Sequence, residues 1–233
     1  MPGDPPFILP RSLQMSTTVE PTTDLPVDRR PRSLTVLGAL SLIGGALGWW
    51  ASLHLLMDYI DSLKDSSFVP SCNLSAVVNC AQNFSSGYGS IFGFSNTAIG
   101  LTLFTIPIVL GVLILSGMRF PQRIFLGYSF GLLGGIVLIS YLQHASFFDL
   151  KTLCLYCLLI WSVTIPLFWA SLSASLRPAE VVLDEDGEEQ SRGILGIIAE
   201  NWWLFALVHL AAVLAIGEFS IGAMSNLMGI IFG

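Results

Sequence analysis

Charge is absent from long blocks of this chain. Residues 33–57, 66–118, 124–148 and 152–176 contain no Asp, Glu, Lys or Arg, and 201–217 adds a shorter run of the same kind. A hydrocarbon layer about 30 Å thick requires about 20 apolar residues per crossing helix, because each backbone polar group must be satisfied within the segment. The pattern predicts five membrane helices, at about 34–57, 97–117, 122–144, 153–175 and 202–219. The uncharged stretch 66–96 reads differently. Pro70, Gly87, Gly89 and Gly93 among many Ser and Asn suit an irregular cap on the bundle, with a short helical piece over 90–94.

The fold class expected is all-α, a polytopic membrane protein with a four-helix bundle and a fifth transmembrane helix. Composition agrees: 53% of the 233 residues are hydrophobic and 11% charged, against about 25% charged in a soluble domain. The expected organisation is a disordered cytoplasmic tail (1–33), a membrane domain (34–176) with an outer loop (58–96), an acidic cytoplasmic linker (177–200), and a fifth helix with an apolar tail (201–233). The tail is Pro- and Ser/Thr-rich with no apolar run, and translation could start at Met1 or Met15. Six acids from Glu180 to Glu189 account for much of the net charge of −6, and no basic patch points to nucleic acid. Eight of the ten cations (Arg11, Arg29, Arg30, Arg32, Arg119, Arg123, Arg177 and Arg192) fall on one side of the predicted spans. That side is then cytoplasmic, with the amino terminus, while 58–96 and 145–152 face outward. Gly44 and Gly48 on the first helix, and Gly127, Gly131 and Gly135 on the third, suit close helix approach in lipid.

All four cysteines fall at the outward ends of these helices. Cys72 and Cys80 lie in the outer loop with seven residues between them, a span able to close a small disulfide. Cys154 and Cys157 form a C-x-x-C in the first turn of the fourth helix, where positions i and i+3 share a face and the helix N-terminus favours a thiolate. Two dithiol pairs in an oxidising compartment, one mobile on a loop and one fixed at the membrane surface, make a relay. The plainer readings are structural staples or a four-thiolate zinc site. A helical C-x-x-C constrains little chain, and the long first spacing at a lipid interface suits zinc poorly.

The chain resembles the vitamin K epoxide reductase family over roughly 34–176. The resemblance rests on Cys72-x7-Cys80, the Phe84-Ser85-Ser86-Gly87-Tyr88-Gly89 stretch, Ser95-Asn96 before the second helix, and Cys154-Leu155-Tyr156-Cys157. It implies a four-helix bundle around a quinone of the menaquinone, ubiquinone or vitamin K type. It also implies a DsbA-like, thioredoxin-fold partner outside the membrane, expected as a separate protein because the chain stops after a fifth helix. Carried over, Cys80 meets the partner, Cys72 attacks Cys154, and Cys157 faces the quinone. Asn96 bonds a quinone oxygen and Ser86 lies near the loop cysteines. Tyr88 stands where animal members have tryptophan. Trp161 stands where they have a quinone-contacting tyrosine, and an indole donates a hydrogen bond but passes no proton. The resemblance thus favours disulfide formation in a bacterial cell membrane over vitamin K epoxide reduction, with a non-enzymatic membrane scaffold as the alternative from another class. His54 and His144 read as interfacial, Asp58 and Asp61 as solvated. His144 and Asp149 are close enough in sequence to tune the C-x-x-C, and Glu218 is an acid at a helix end. Asn73 and Asn83 head glycosylation sequons.

Overall fold

The computed structural model describes residues 32–176 and 194–232. The expected tail, most of the acidic linker and the last residue lie outside them. Among the described residues eight α-helices follow in order: α1 (Arg32–Lys64), α2 (Cys80–Ser85), α3 (Asn96–Leu115), α4 (Gln122–His144), α5 (Leu155–Leu176), α6 (Ile194–Glu200), α7 (Trp202–Ile221) and α8 (Ala223–Phe232). Five of them, α1, α3, α4 with its continuation, α5 and α7, are long and apolar enough to cross a membrane. The protein is thus an all-α integral membrane protein, as its charge-free blocks require.

Local chemistry explains the boundaries. Ser95 caps α3, its hydroxyl accepting the Thr97 N–H. Helix α1 runs seven residues beyond the expected end at 57. The chain can stay helical once it leaves the lipid, and Lys64 pairs with Asp61 at 3.0 Å along the last turn. Helix α4 continues through a π-helical turn, Ala145–Leu150, and the chain reverses at Lys151 in the left-handed region (φ 54°). The helical pieces in the cap are α2 and a 3-10 turn, Gly87–Ser90, not residues 90–94. Glu218 serves the structure: its carboxylate accepts the N–H and hydroxyl of Ser225, capping α8 from across the Gly222 turn.

Helix α1 packs on α3 and α5, and α5 also packs on α4 and α7. The glycines divide by role. A Cβ at Gly111 would lie 2.5 Å from the backbone nitrogen of Leu42, and one at Gly48 would lie 2.4 Å from the Phe104 ring, so α1 and α3 meet nearly backbone to backbone. The stripe on α4 is not such a ridge. A Cβ at Gly127 or Gly131 meets nothing within 4 Å, and one at Gly135 only makes an ordinary 3.7 Å contact with Thr164. These three positions line a cavity between α3 and α4 instead of a helix contact. Gly111→Ala should therefore lower stability by about 1–3 kcal/mol through overpacking against backbone. Gly131→Ala should be neutral or slightly stabilising; thermal unfolding of the two variants in detergent checks the contrast.

Candidate redox site

The four cysteines meet at one end of the bundle. Cys72 and Cys80 form a disulfide, while Cys154 and Cys157 are free thiols. Cys72, Cys80 and Cys154 pack with Leu55 of α1 in one buried cluster, and Cys157 borders it half-buried. The sulfur of Cys154 lies 3.1 Å from that of Cys80. Cys154 immediately precedes α5, and its sulfur accepts the Cys157 N–H at 3.4 Å, as a helix cap does.

This contact differs from the one carried over from the resemblance, which sets Cys72 against Cys154. The sulfur against Cys154 is that of Cys80 and not of Cys72, and both loop cysteines are buried. Nor is the loop pair loosely held. Leu153 N–H donates to Val77 O at 2.7 Å and Asn79 N–H to Leu153 O at 3.0 Å, the one β pairing among the described residues. Asn73 Oδ1 accepts the N–H groups of Cys80 and Ala81, and Asn83 Nδ2 donates to Asn79 O and Thr152 Oγ1. These ties set the loop cysteines directly over the C-x-x-C. The Asn83 nitrogen that a glycan would need is thus already committed inside the protein.

A cavity of about 500 Å³ opens beside the sulfurs and runs down the cleft between α3 and α4, within the size range of small-molecule sites. Cys80, Cys154, Cys157, Asn96, Tyr88 and Trp161 stand on its wall, and most of the remainder is apolar. A quinone fits this lining: a long greasy trough with a few donors at one end, next to thiols. Asn96 donates one amide hydrogen to Tyr88 O at 2.7 Å and accepts the Ile91 N–H, which leaves its second amide hydrogen uncommitted. Trp161 is buried edge-on to Phe147. Ser86 is not on the cavity wall; its hydroxyl donates to Asn83 O at the end of α2.

Several participants were not legible as such from sequence. In the sequence Asn73 and Asn83 stand out only as heads of glycosylation sequons and Thr152 carries no signal, and only the fold turns them into ties. The Tyr88 hydroxyl donates to Asp149 Oδ2 at 2.9 Å, closing the cap against the turn after α4. That hydrogen bond pushes the Tyr88 phenol above its ordinary range, so it stays a donor at neutral pH. His144 lies 3.8 Å from the same carboxylate, which places it and Asp149 at the cap tie and not on the sulfurs.

Fold and site define an integral membrane protein with one disulfide and two free thiols grouped at one end of its bundle. A family model, that of the vitamin K epoxide reductase family, matches residues 39–172, more than half of the chain, and the chain belongs to this family of membrane oxidoreductases. No individual curated protein matches the chain.

Proposed function

We propose that this protein is a membrane thiol oxidase that takes two electrons from an extracytoplasmic thioredoxin-fold protein, such as a DsbA-like one, and delivers them to a lipid quinone. The observation that carries this reading is the 3.1 Å contact between Cys80 and Cys154, in a buried cluster that opens through Cys157 onto the apolar cavity.

The relay balances in three exchanges. The partner's dithiol reduces the Cys72–Cys80 disulfide through Cys72 and becomes a disulfide itself. The Cys80 thiolate then attacks Cys154 of an oxidised C-x-x-C, the Cys154–Cys157 bond breaks, and Cys72 resolves the Cys80–Cys154 bond. That restores the loop disulfide and leaves Cys154 and Cys157 reduced, the state of this structure. A quinone in the cavity supplies the acceptor for two electrons and two protons. Cys157 is the thiol facing it, and Asn96 is the donor for an oxygen on which charge develops. The glycine stripe of α4 gives the width for a prenyl tail toward lipid.

Grouping of the cysteines at one end of the bundle, with Arg119 in the α3–α4 turn and Arg123 at the start of α4 at the other, supports an inward amino terminus and a relay facing outside the cytoplasm, as in a bacterial cell membrane. On this reading 34–176 is the catalytic membrane domain. The segments 1–33, 177–200 and 201–233 are its tail, linker and fifth-helix appendage. Trp161 on the cavity wall supports disulfide formation over epoxide chemistry, since its N–H donates but cannot relay a proton. Purified protein in lipid, with dithiothreitol as donor and menadione absorbance as readout, should show catalysed quinone reduction. Absence of turnover in folded protein with any lipid quinone would return the cysteines to structural staples.

A further inference from the structure

Asn96, the donor proposed for the quinone, is held by a turn with little of its own to fix it. It is the first residue of α3, and its side chain is bonded to the cap on both atoms: Nδ2 donates to Tyr88 O at 2.7 Å, and Oδ1 accepts the Ile91 N–H at 3.2 Å. Tyr88 belongs to the 3-10 turn Gly87–Ser90, which buries none of its residues. Two of the four are glycine, the least restricted residue, and a Cβ at Gly87 would meet nothing within 4 Å. Neither core packing nor backbone stiffness therefore places the carbonyl that directs Asn96.

The Tyr88 side chain supplies that placement. Its ring centre lies 5.9 Å from that of Tyr141 on α4, and its hydroxyl donates to Asp149 Oδ2 at 2.9 Å. The segment entering α3 is thus tied to the segment leaving α4, the two helices that flank the cavity. Asp149 reaches this position through an irregularity of the helix. In the π-helical turn Ala145–Leu150 the bonding runs from i to i+5, which sets Asp149 against His144, five residues back, at 3.8 Å. His144 shares a face with Tyr141, three residues earlier, so the carboxylate arrives on the side where the Tyr88 ring lies. Tyr88 stands on the cavity wall and Asp149 does not.

Resting on the quinone reading of the cavity, we infer that Asp149 is a positioning residue for quinone binding: through Tyr88 it holds the Asn96 carboxamide, so that the free amide hydrogen stays aimed at the ring oxygen. Asp149 itself touches no quinone. A donor held in place before binding has less conformational freedom to lose when the ring arrives, so the tie raises affinity without adding a contact. Because the tie acts only through Asn96, the effect of breaking it cannot exceed the effect of removing Asn96.

The test is menadione binding to the full chain in detergent, followed by quenching of tryptophan fluorescence. Asn96→Ala should weaken binding about tenfold, the loss of one hydrogen bond. Tyr88→Phe keeps the ring beside Tyr141 and removes only the hydroxyl; it should weaken binding about threefold to fivefold, and Asp149→Ala by the same factor. In the Asn96→Ala background Tyr88→Phe should have no further effect, since nothing is left to position. Asp149→Asn keeps an acceptor for the hydroxyl and should recover most of the affinity lost in Asp149→Ala. Should Asp149→Ala fail to fold, Tyr88→Phe alone and in the Asn96→Ala background decides the question. Losses in Tyr88→Phe and Asn96→Ala that simply multiply overturn the inference, as does Asp149→Asn binding no better than a folded Asp149→Ala. Wild-type affinity in Tyr88→Phe, beside weakened binding in Asn96→Ala, overturns it and leaves the quinone site standing. Wild-type protein that takes up no menadione, or Asn96→Ala that binds it as wild type does, overturns the quinone reading of Asn96 and this inference together.

Discussion

Cys157→Ala should abolish quinone reduction, by about a thousandfold or more, whichever electron donor is supplied. Cys157 is the half-buried member of the C-x-x-C, and it lines the cavity that the buried Cys72 does not reach. Without it, the two-electron disulfide between Cys154 and Cys157 cannot form, so electrons that arrive at Cys154 have no second sulfur to leave with. The loop disulfide is untouched by the change, so folding should be preserved, and a melting curve beside the menadione assay separates lost chemistry from lost structure. Cys80→Ala has a different signature. It should stop electron flow from a protein dithiol while sparing part of the flow from dithiothreitol, a reagent small enough to reach Cys157 directly. Retained menadione turnover in Cys157→Ala would mean that the quinone is reduced elsewhere.

The second large effect concerns which loop sulfur meets the C-x-x-C. A variant with only Cys80 and Cys154 (Cys72→Ser with Cys157→Ser) should form its disulfide nearly completely under mild oxidation. The companion with only Cys72 and Cys154 (Cys80→Ser with Cys157→Ser) should stay reduced. The expected rate difference is about a hundredfold or more, since held contact replaces a chance encounter. Alkylation of free thiols followed by peptide mass spectrometry reads both. The cause is the 3.1 Å contact between Cys80 and Cys154, maintained by the Val78–Leu153 pairing and by Asn73 beneath Cys80. Equal crosslinking of the two variants would mean that the loop swings far enough for Cys72 to take Cys80's place.

Membership of the fold class was legible because the bilayer imposes a coarse rule on composition, and each of five charge-free blocks holds most of one crossing helix, although 66–118 also takes in the cap. The α4 and α7 starts, at Gln122 and Trp202, coincide with where the apolar pattern begins. The end of α1 was missed, since apolarity reports the lipid boundary and a helix can continue past it into water. Glycine spacing was ambiguous for a related reason. The every-fourth-residue rhythm of Gly44 and Gly48 marks contact with α5 and α3, yet the same rhythm at Gly127, Gly131 and Gly135 marks an open cavity wall. A missing side chain permits close approach and empty space equally well.

From sequence alone came the number of spans, the grouping of the cysteines at one end of them, their division into two pairs and the family. These depend on hydropathy, charge and short-range spacing, which are properties of neighbours along the chain. Only the tertiary structure decided that Cys80 and not Cys72 touches Cys154, and that Asn73 and Asn83 pin the loop. The sulfur contact and the Asn83 tie each join segments about seventy residues apart. Such pairings follow from how whole helices and the cap pack together, so no local pattern encodes them.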